Sequence, residues 1–321
     1  MRTDMKGYGF GIDVGGTTVK LGFFDREGHL LDKWEIPTDT SNNGSAILPD
    51  VAEAVKGYLA AHNLTAQDIL GIGVGVPGAV RPDGVVNRCV NTGWGVVDVE
   101  GDLEALTGIP VKAGNDANVA ALGESWQGGA AGCKNMVLFT LGTGIGGGII
   151  LDGRILCGVH GAGGEVGHIP TDRTETAQCG CGNRGCAEQY GSATGIVRTA
   201  HRILAEDPAP SLLRDMENFS CKDLFDCAAK GDKLANKILD QVYDDLGYFI
   251  AKVTCVVDPE MVVIGGGVSK AGQVLLDGIR PYYEKYAFHA CRGIPFALAS
   301  LGNDAGIYGS MKLALDAAQA A

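Results

Sequence analysis

Tyr8-Gly9-Phe10-Gly11-Ile12-Asp13-Val14-Gly15-Gly16-Thr17-Thr18-Val19-Lys20-Leu21-Gly22-Phe23-Phe24 is the stretch on which the reading of the chain turns. Residues 8–14 are apolar and of strand length, Gly15-Gly16 is a turn, and residues 19–24 return as an alternating strand. Glycines in such a turn let the main chain approach a ligand and adopt positive φ, exposing N–H donors to an anion. Thr17 and Thr18 add hydroxyl donors without bulk. Asp13, at the strand end, is a carboxylate placed to hold Mg2+ through water, a cation that gives up its hydration reluctantly. The bland alternative is a hairpin turn with no ligand.

Two later segments take the same form. Residues 136–141 are apolar and run into Gly142-Thr143-Gly144-Ile145-Gly146-Gly147, and residues 261–264 run into Gly265-Gly266-Gly267. A single such turn is unspecific; three in one chain point to a phosphate-bearing ligand. After the turn read over 142–148, a strand over 149–156 with an Asp152-Gly153 turn echoes the first hairpin, which suggests a duplicated domain plan. The middle segment formally matches G-x-G-x-x-G, but a dinucleotide site needs a helix after the turn and a strand pattern follows. No Walker A sequence, G-x-x-x-x-G-K-[ST], occurs in the chain.

Around these turns the pattern alternates strands and helices. Residues 30–36 form a third strand, 46–62 a helix, and 69–76 a buried strand closed by Pro77-Gly78. A short strand over 111–114 enters a helix over 116–127. From Ser192 onward the chain is mainly helical: Leu234, Ile238, Val242, Leu246, Ile250, Val253 and Val257 share one helix face, another helix starts near Ser269, and a last one covers about 304–318. The length, 321 residues, suits two domains, expected as residues 1–115 plus about 304–321 (small, α/β) and 116–303 (large, α/β).

The net charge of −12 argues against nucleic acid as a partner, since phosphate backbones are held by Lys/Arg patches. No apolar run approaches the about 20 residues that cross a bilayer, and the first residues do not resemble a signal peptide. With ten cysteines and no export signal, a cytoplasmic protein with reduced thiols is expected, so a cysteine cluster points to metal. His168, Cys179, Cys181 and Cys186 form such a cluster, H-x10-C-x-C-x4-C, with glycines at 180, 182 and 185. Three thiolates and an imidazole suit tetrahedral Zn2+, and four protein ligands make it a structural ion. Glu165 and Glu188 flank the cluster; with one nitrogen of His168 on the metal, the other is left for a polyhydroxylated ligand.

Asn115-Asp116-Ala117-Asn118 stands where a buried strand enters a helix. Asp116 is placed to take a proton from an attacking hydroxyl, with Asn115 bonding a neighbouring one. Helix capping, which favours Asn and Asp, is the competing explanation.

Together these motifs, with Val76-Pro77-Gly78, resemble the ROK family (repressor, open reading frame, kinase), and within it the glucokinases. The resemblance implies an actin-like (ribonuclease H-like) α/β fold of two domains around a cleft, usually a homodimer or homotetramer, that uses ATP, Mg2+ and a structural Zn2+. It implies Asp116 as catalytic base, with Gly78, Asn91, Asn115, Glu165, His168 and Glu188 at the sugar. Asp13, Gly15, Gly16, Thr17, Thr18, Lys20, Gly142, Thr143 and Gly144 would face the ATP phosphates, and Gly265 and Gly266 the nucleoside. Asn91-Thr92-Gly93-Trp94 resembles the Asn-x-x-Trp of glucokinases and favours glucose. The family also contains N-acetylmannosamine, N-acetylglucosamine and fructose kinases and sugar-sensing repressors. A repressor's DNA-binding segment would have to precede the turn at Gly15, where no room is expected.

Overall fold

The computed structural model describes residues 7–87, 89 and 91–320. In chain order its main elements are β1 (Tyr8–Val14), β2 (Thr18–Asp25), β3 (Leu30–Pro37), α1 (Ile47–Ala61), β4 (Ile69–Val76), α2 (Val99–Thr107), β5 (Val111–Asn115) and α3 (Asp116–Gln127). There follow β6 (Met136–Leu141), β7 (Ile145–Leu151), β8 (Arg154–Ile155), α4 (Ala193–Glu206), α5 (Cys221–Ala229) and α6 (Lys233–Val257). The chain ends with β9 (Met261–Gly265), α7 (Gln273–Tyr286), β10 (Phe296–Leu298) and α8 (Ala305–Ala320).

These elements divide into two compact units. The first comprises residues 1–134, 148–164 and 300–321; the second comprises 135–147 and 165–299. The division differs from a cut at residue 115. Helix α3 stays with the first unit because it packs against α8, where a β-carbon on Gly309 would lie 1.7 Å from the Val119 carbonyl oxygen. Glu124 of α3, 1% exposed, accepts hydrogen bonds from the backbone N–H groups of Ser300 and Leu301 and so fixes the point at which the chain re-enters this unit.

The first unit is built on a five-stranded sheet in the order β3-β2-β1-β4-β5. Strands β1, β2 and β3 pair antiparallel, whereas β1, β4 and β5 run parallel. Phe10, Ile12 and Val14 on one face of β1 enter a core shared with Val51 and Val55 of α1 and Ile72 and Val74 of β4. Gly9 and Gly11 on the opposite face of β1, and Gly71 and Gly73 of β4, are glycines because α8 lies against that face. A β-carbon on Gly11 would meet the Ile307 carbonyl oxygen at 1.9 Å, and one on Gly73 the Ser310 carbonyl oxygen at 1.7 Å. The hydroxyl of Ser310 then donates to the Ile12 carbonyl at 2.7 Å, satisfying it inside the contact.

The second sheet has the order β8-β7-β6-β9-β10, with β6, β9 and β10 parallel. Read as first to fifth strand, both sheets follow one order, 3-2-1-4-5, so the duplication suggested by the two Gly-rich hairpins extends to the strand plan. The turn after β6 is shorter than residues 142–148, for β7 begins at Ile145. Gly148 belongs to a strand because a β-carbon there would sit 2.4 Å from that of Ala121. In α6 the residues Leu234, Ile238, Val242, Leu246, Ile250 and Val253 are buried along one face, as their spacing requires. Near Ser269 there is only a 3-10 turn, Val268–Ala271, and the α-helix starts at Gln273.

Candidate active-site residues

In the first unit the chemistry gathers where the parallel strands β1, β4 and β5 end, the edge at which open α/β sheets place their ligands. The register pairs Asp13 with Gly75 and Gly75 with Gly114, so these three stand in one row across neighbouring strands about 4.8 Å apart. Just beyond the row come the turn Gly15-Gly16-Thr17, the Pro77-Gly78 bend and the Asn115-Asp116 junction.

Asn115 settles the capping question. Its Oδ1 accepts from the Asn118 N–H at 3.1 Å, so Asn115 is the cap of α3. Its Nδ2 donates to the Gly78 carbonyl at 3.0 Å and to Asp116 Oδ1 at 2.9 Å. Asp116 Oδ1 also accepts from the Ala117 N–H at 2.8 Å. Asp116 is therefore held by the cap without being it, and Asn115 spends its amide on placing Gly78 and Asp116. Gly78, at φ +93°, has the left-handed backbone that aims this carbonyl.

Asp13 and Lys20 face each other across β1 and β2. Burial pushes the Asp13 carboxyl up to about 6, with Lys20 opposing and the charge of Asp116 adding. A β-carbon on Gly306, in the first turn of α8, would lie 2.6 Å from Asp13 Cγ; the carboxylate thus sits on a helix N-terminus, a seat invisible to local sequence pattern. Lys20 Nζ donates to the Asn303 carbonyl at 3.0 Å. In the turn itself Gly15 N–H donates to the Thr18 carbonyl at 3.0 Å, while Gly16 and Thr17 are exposed. Neither Gly15 nor Gly16 has positive φ, contrary to expectation; the need is for space. A β-carbon on Gly15 would clash with the Thr18 carbonyl at 2.8 Å. On Gly16 it would meet only Asn91, whose carbonyl oxygen lies at 3.5 Å, so what a side chain would fill there is the approach to the turn. Trp94 is buried and donates from Nε1 to the Gly44 carbonyl at 2.9 Å, which makes it a brace for the Asn91 loop.

The second unit repeats the edge. Gly142-Thr143-Gly144 follows β6, Gly266-Gly267 follows β9, and Gly265 pairs with Thr140. Gly266, at φ +82°, would place a β-carbon 2.6 Å from the Leu141 carbonyl oxygen. Gly142 N–H donates to the Gly144 carbonyl at 3.0 Å. The turn is also tied forward, since Thr194 Oγ1 donates to the Thr143 carbonyl at 2.6 Å and the Ala193 N–H to the Gly142 carbonyl at 2.8 Å. Beside Gly267 opens a cavity of about 1250 Å3 lined by Val268, Lys270, Phe225, Tyr243 and Lys222. It is large enough for a nucleoside. Its residues come from several separate helices, which is why no motif announced it.

His168, Cys179, Cys181 and Cys186 meet: one ligand atom from each lies within 4.8 Å of all the others. The Sγ atoms of Cys181 and Cys186 are 3.6 Å apart, and Cys179 Sγ is 3.8 Å from His168 Nδ1. A tetrahedral zinc with Zn–S of about 2.3 Å needs edges of about 3.8 Å, so the four residues fit that ion. Burial pushes the Cys179 and Cys186 thiols up, and a cation is what would offset the cost of their thiolates. With Nδ1 toward the thiols, His168 Nε2 faces Glu165, 3.8 Å from its Oε2. Glu188 Oε1 accepts from Cys179 Sγ at 2.9 Å, and its Oε2 would lie 2.7 Å from a β-carbon on Gly144. Glu188 thus links the cysteine cluster to the Gly142 turn.

Two sheets of one order, 3-2-1-4-5, with Gly-rich turns at their ligand edges, make up the actin-like ATPase fold of the sugar kinases. The ROK family model matches residues 9–317. A glucokinase of Halalkalibacterium halodurans is 44% identical over 304 residues, 93% of this chain and 92% of that protein. The solved ROK hexokinase of Thermus thermophilus is 30% identical with a TM-score of 0.82, covering 98% of this chain and 100% of the other. A ROK family glucokinase of Streptomyces griseus, solved in complex with glucose and AMPPNP, is 31% identical with a TM-score of 0.73, covering 96% and 99%. The chain belongs to the ROK family. Among the described residues no helix is long and apolar enough to cross a membrane.

Proposed function

We propose that this protein is an ATP-dependent hexose kinase that moves the γ-phosphoryl group of ATP to the 6-hydroxyl of glucose, giving glucose 6-phosphate and ADP. The observation that carries this reading is the Asp116 carboxylate, fixed by Asn115 and the Ala117 N–H at the ligand edge of the first sheet. Glucokinases are prominent among its relatives, and one was solved with glucose and an ATP analogue.

Asp116 takes the proton of the attacking hydroxyl as the bond to phosphorus forms and the bond to the ADP oxygen breaks. General-base help of this kind is worth about 10²–10⁴-fold. Gly15–Thr18 and Gly142–Gly144 offer N–H groups and threonine hydroxyls to the phosphates, with Lys20 nearby, and the cavity beside Gly265-Gly266-Gly267 receives the nucleoside. Asp13 would hold Mg2+ through water, and that cation would supply neutralisation of the phosphate charge. Glu165, His168 Nε2, Glu188 and Asn91 orient the sugar hydroxyls, and Zn2+ on His168, Cys179, Cys181 and Cys186 would keep the imidazole and Glu188 in place.

A coupled ADP-release assay over a sugar panel tests the reading. Turnover is expected to be highest with glucose and to require ATP and Mg2+. Equal or better turnover of N-acetylmannosamine, N-acetylglucosamine or fructose would transfer the assignment to that sugar, and no ADP release with any sugar would end it.

A further inference from the structure

Away from the turns, the first unit contains a second cavity of about 730 Å3. Arg81, Lys112, Arg154 and Lys312 all line it, an unusual gathering in a chain of net charge −12. Three of these cations are neutralised locally, Arg81 by Asp83, Lys112 by Glu100 and Lys312 by Asp316. Arg154 has no ion pair among the described residues and its side chain is exposed. Asn118 also lines the cavity. It is 3% exposed, its Nδ2 donates to the Gly163 carbonyl at 3.0 Å, and its Oδ1 has no hydrogen-bond partner. A buried amide oxygen left unpaired costs about 1–3 kcal/mol, so the site calls for a donor.

We propose that this cavity is an effector site for a small hydroxylated oxyanion, whose carboxylate or phosphate pairs with Arg154 and whose O–H donates to Asn118. A guanidinium offers a planar fork that matches an oxyanion, and a hydroxyl satisfies the orphaned acceptor. The site has two lines to the chemistry. Asn118 N–H is the bond that Asn115 caps, and Asn115 holds Asp116. Asn118 Nδ2 holds Gly163, two residues before Glu165. Asn118 is thus a positioning residue, and occupancy of the cavity shifts the sugar KM more than kcat. That kinetic consequence rests on the kinase reading; the binding does not.

The test is equilibrium binding by titration calorimetry on the whole chain, without sugar or nucleotide, using glycerol 3-phosphate, glycerate and, as a neutral control, glycerol. Saturable binding of at least one anion at one site per chain is expected, with none for glycerol. Arg154→Ala should weaken it at least tenfold and Ala317→Trp, which fills the cavity wall, should abolish it. Both variants should keep parental ligand-free turnover and melting temperature. Binding of glycerol 3-phosphate alone assigns a phosphate monoester, and binding of both anions a general oxyanion site. No saturable binding, or binding equally tight in both variants, overturns the proposal, whatever the kinase assay shows.

Discussion

The two sheets use one strand order to opposite ends. In the first, the strands run 7, 8, 8, 8 and 5 residues, and Asn115 and Asp116 come off a strand–helix junction that main-chain ladders and a helix cap hold in place. In the second sheet the strands run 6, 7, 2, 5 and 3, and in the second unit, between Glu165 and Gly191, regular structure is limited to one 3-10 turn and one helical turn. Glu165, His168 and Glu188 therefore lack a ladder to hold them. The comparison teaches that where the backbone supplies no frame, a metal-binding set of side chains can supply it.

Breaking the metal cluster should show the contrast most strongly. Elemental analysis of the parent should find about one zinc per chain; Cys181→Ser, at the exposed member of the cluster, is expected to lose it and to weaken sugar affinity by about 10–100-fold. Its effect on kcat should be smaller than its effect on sugar binding, since Asp116 is placed by other means. Full sugar affinity in metal-free protein would remove the brace from the account.

The glycine turns sharpen the comparison on a smaller scale. Gly266→Ala introduces a side chain at positive φ and against the Leu141 carbonyl, so chemical denaturation should register a loss of about 1–3 kcal/mol. Gly16→Ala meets no such obstacle and should leave stability within about 0.5 kcal/mol while raising the ATP KM. Equal stability losses at both positions would mean that the first turn, too, is glycine for internal packing.

A buried carboxylate in the second unit should give a pH effect of similar size. Burial pushes the Asp245 carboxyl of α6 up to about 6, with Gln241 and Arg202 opposing and Asp244 and Asp172 adding. A pKa raised on folding favours the native state below the unfolded pKa, 3.8, and that contribution is lost as pH rises through 6. Asp245→Asn should therefore add up to about 3 kcal/mol at pH 7 and nothing near pH 4, read from denaturation midpoints at both. A gain independent of pH would show that the carboxylate is not the source.

Much of the frame was legible because period and punctuation report local structure. Tyr8–Val14, Ile69–Val76 and the buried face of Lys233–Val257 all follow from spacing, and the cysteine cluster from its composition. What stayed hidden depends on long-range packing. The glycines of β1 and β4 carry no local sign that α8, from far along the chain, lies on them. Gly146, Gly147 and Gly148 read as turn because nothing local reveals the contact with α3. Phe296–Leu298 is too short to show a period, and nothing local reveals that Trp94 donates to the Gly44 carbonyl, 50 residues distant.

The central claim is that a carboxylate held by its neighbour's cap takes the proton from the sugar. Turnover and glucose binding measured side by side on Asp116→Asn test it most directly. The account predicts a fall in kcat of about 10²–10⁴-fold with glucose affinity within a few-fold of the parent. Near-parental turnover in that variant would contradict it.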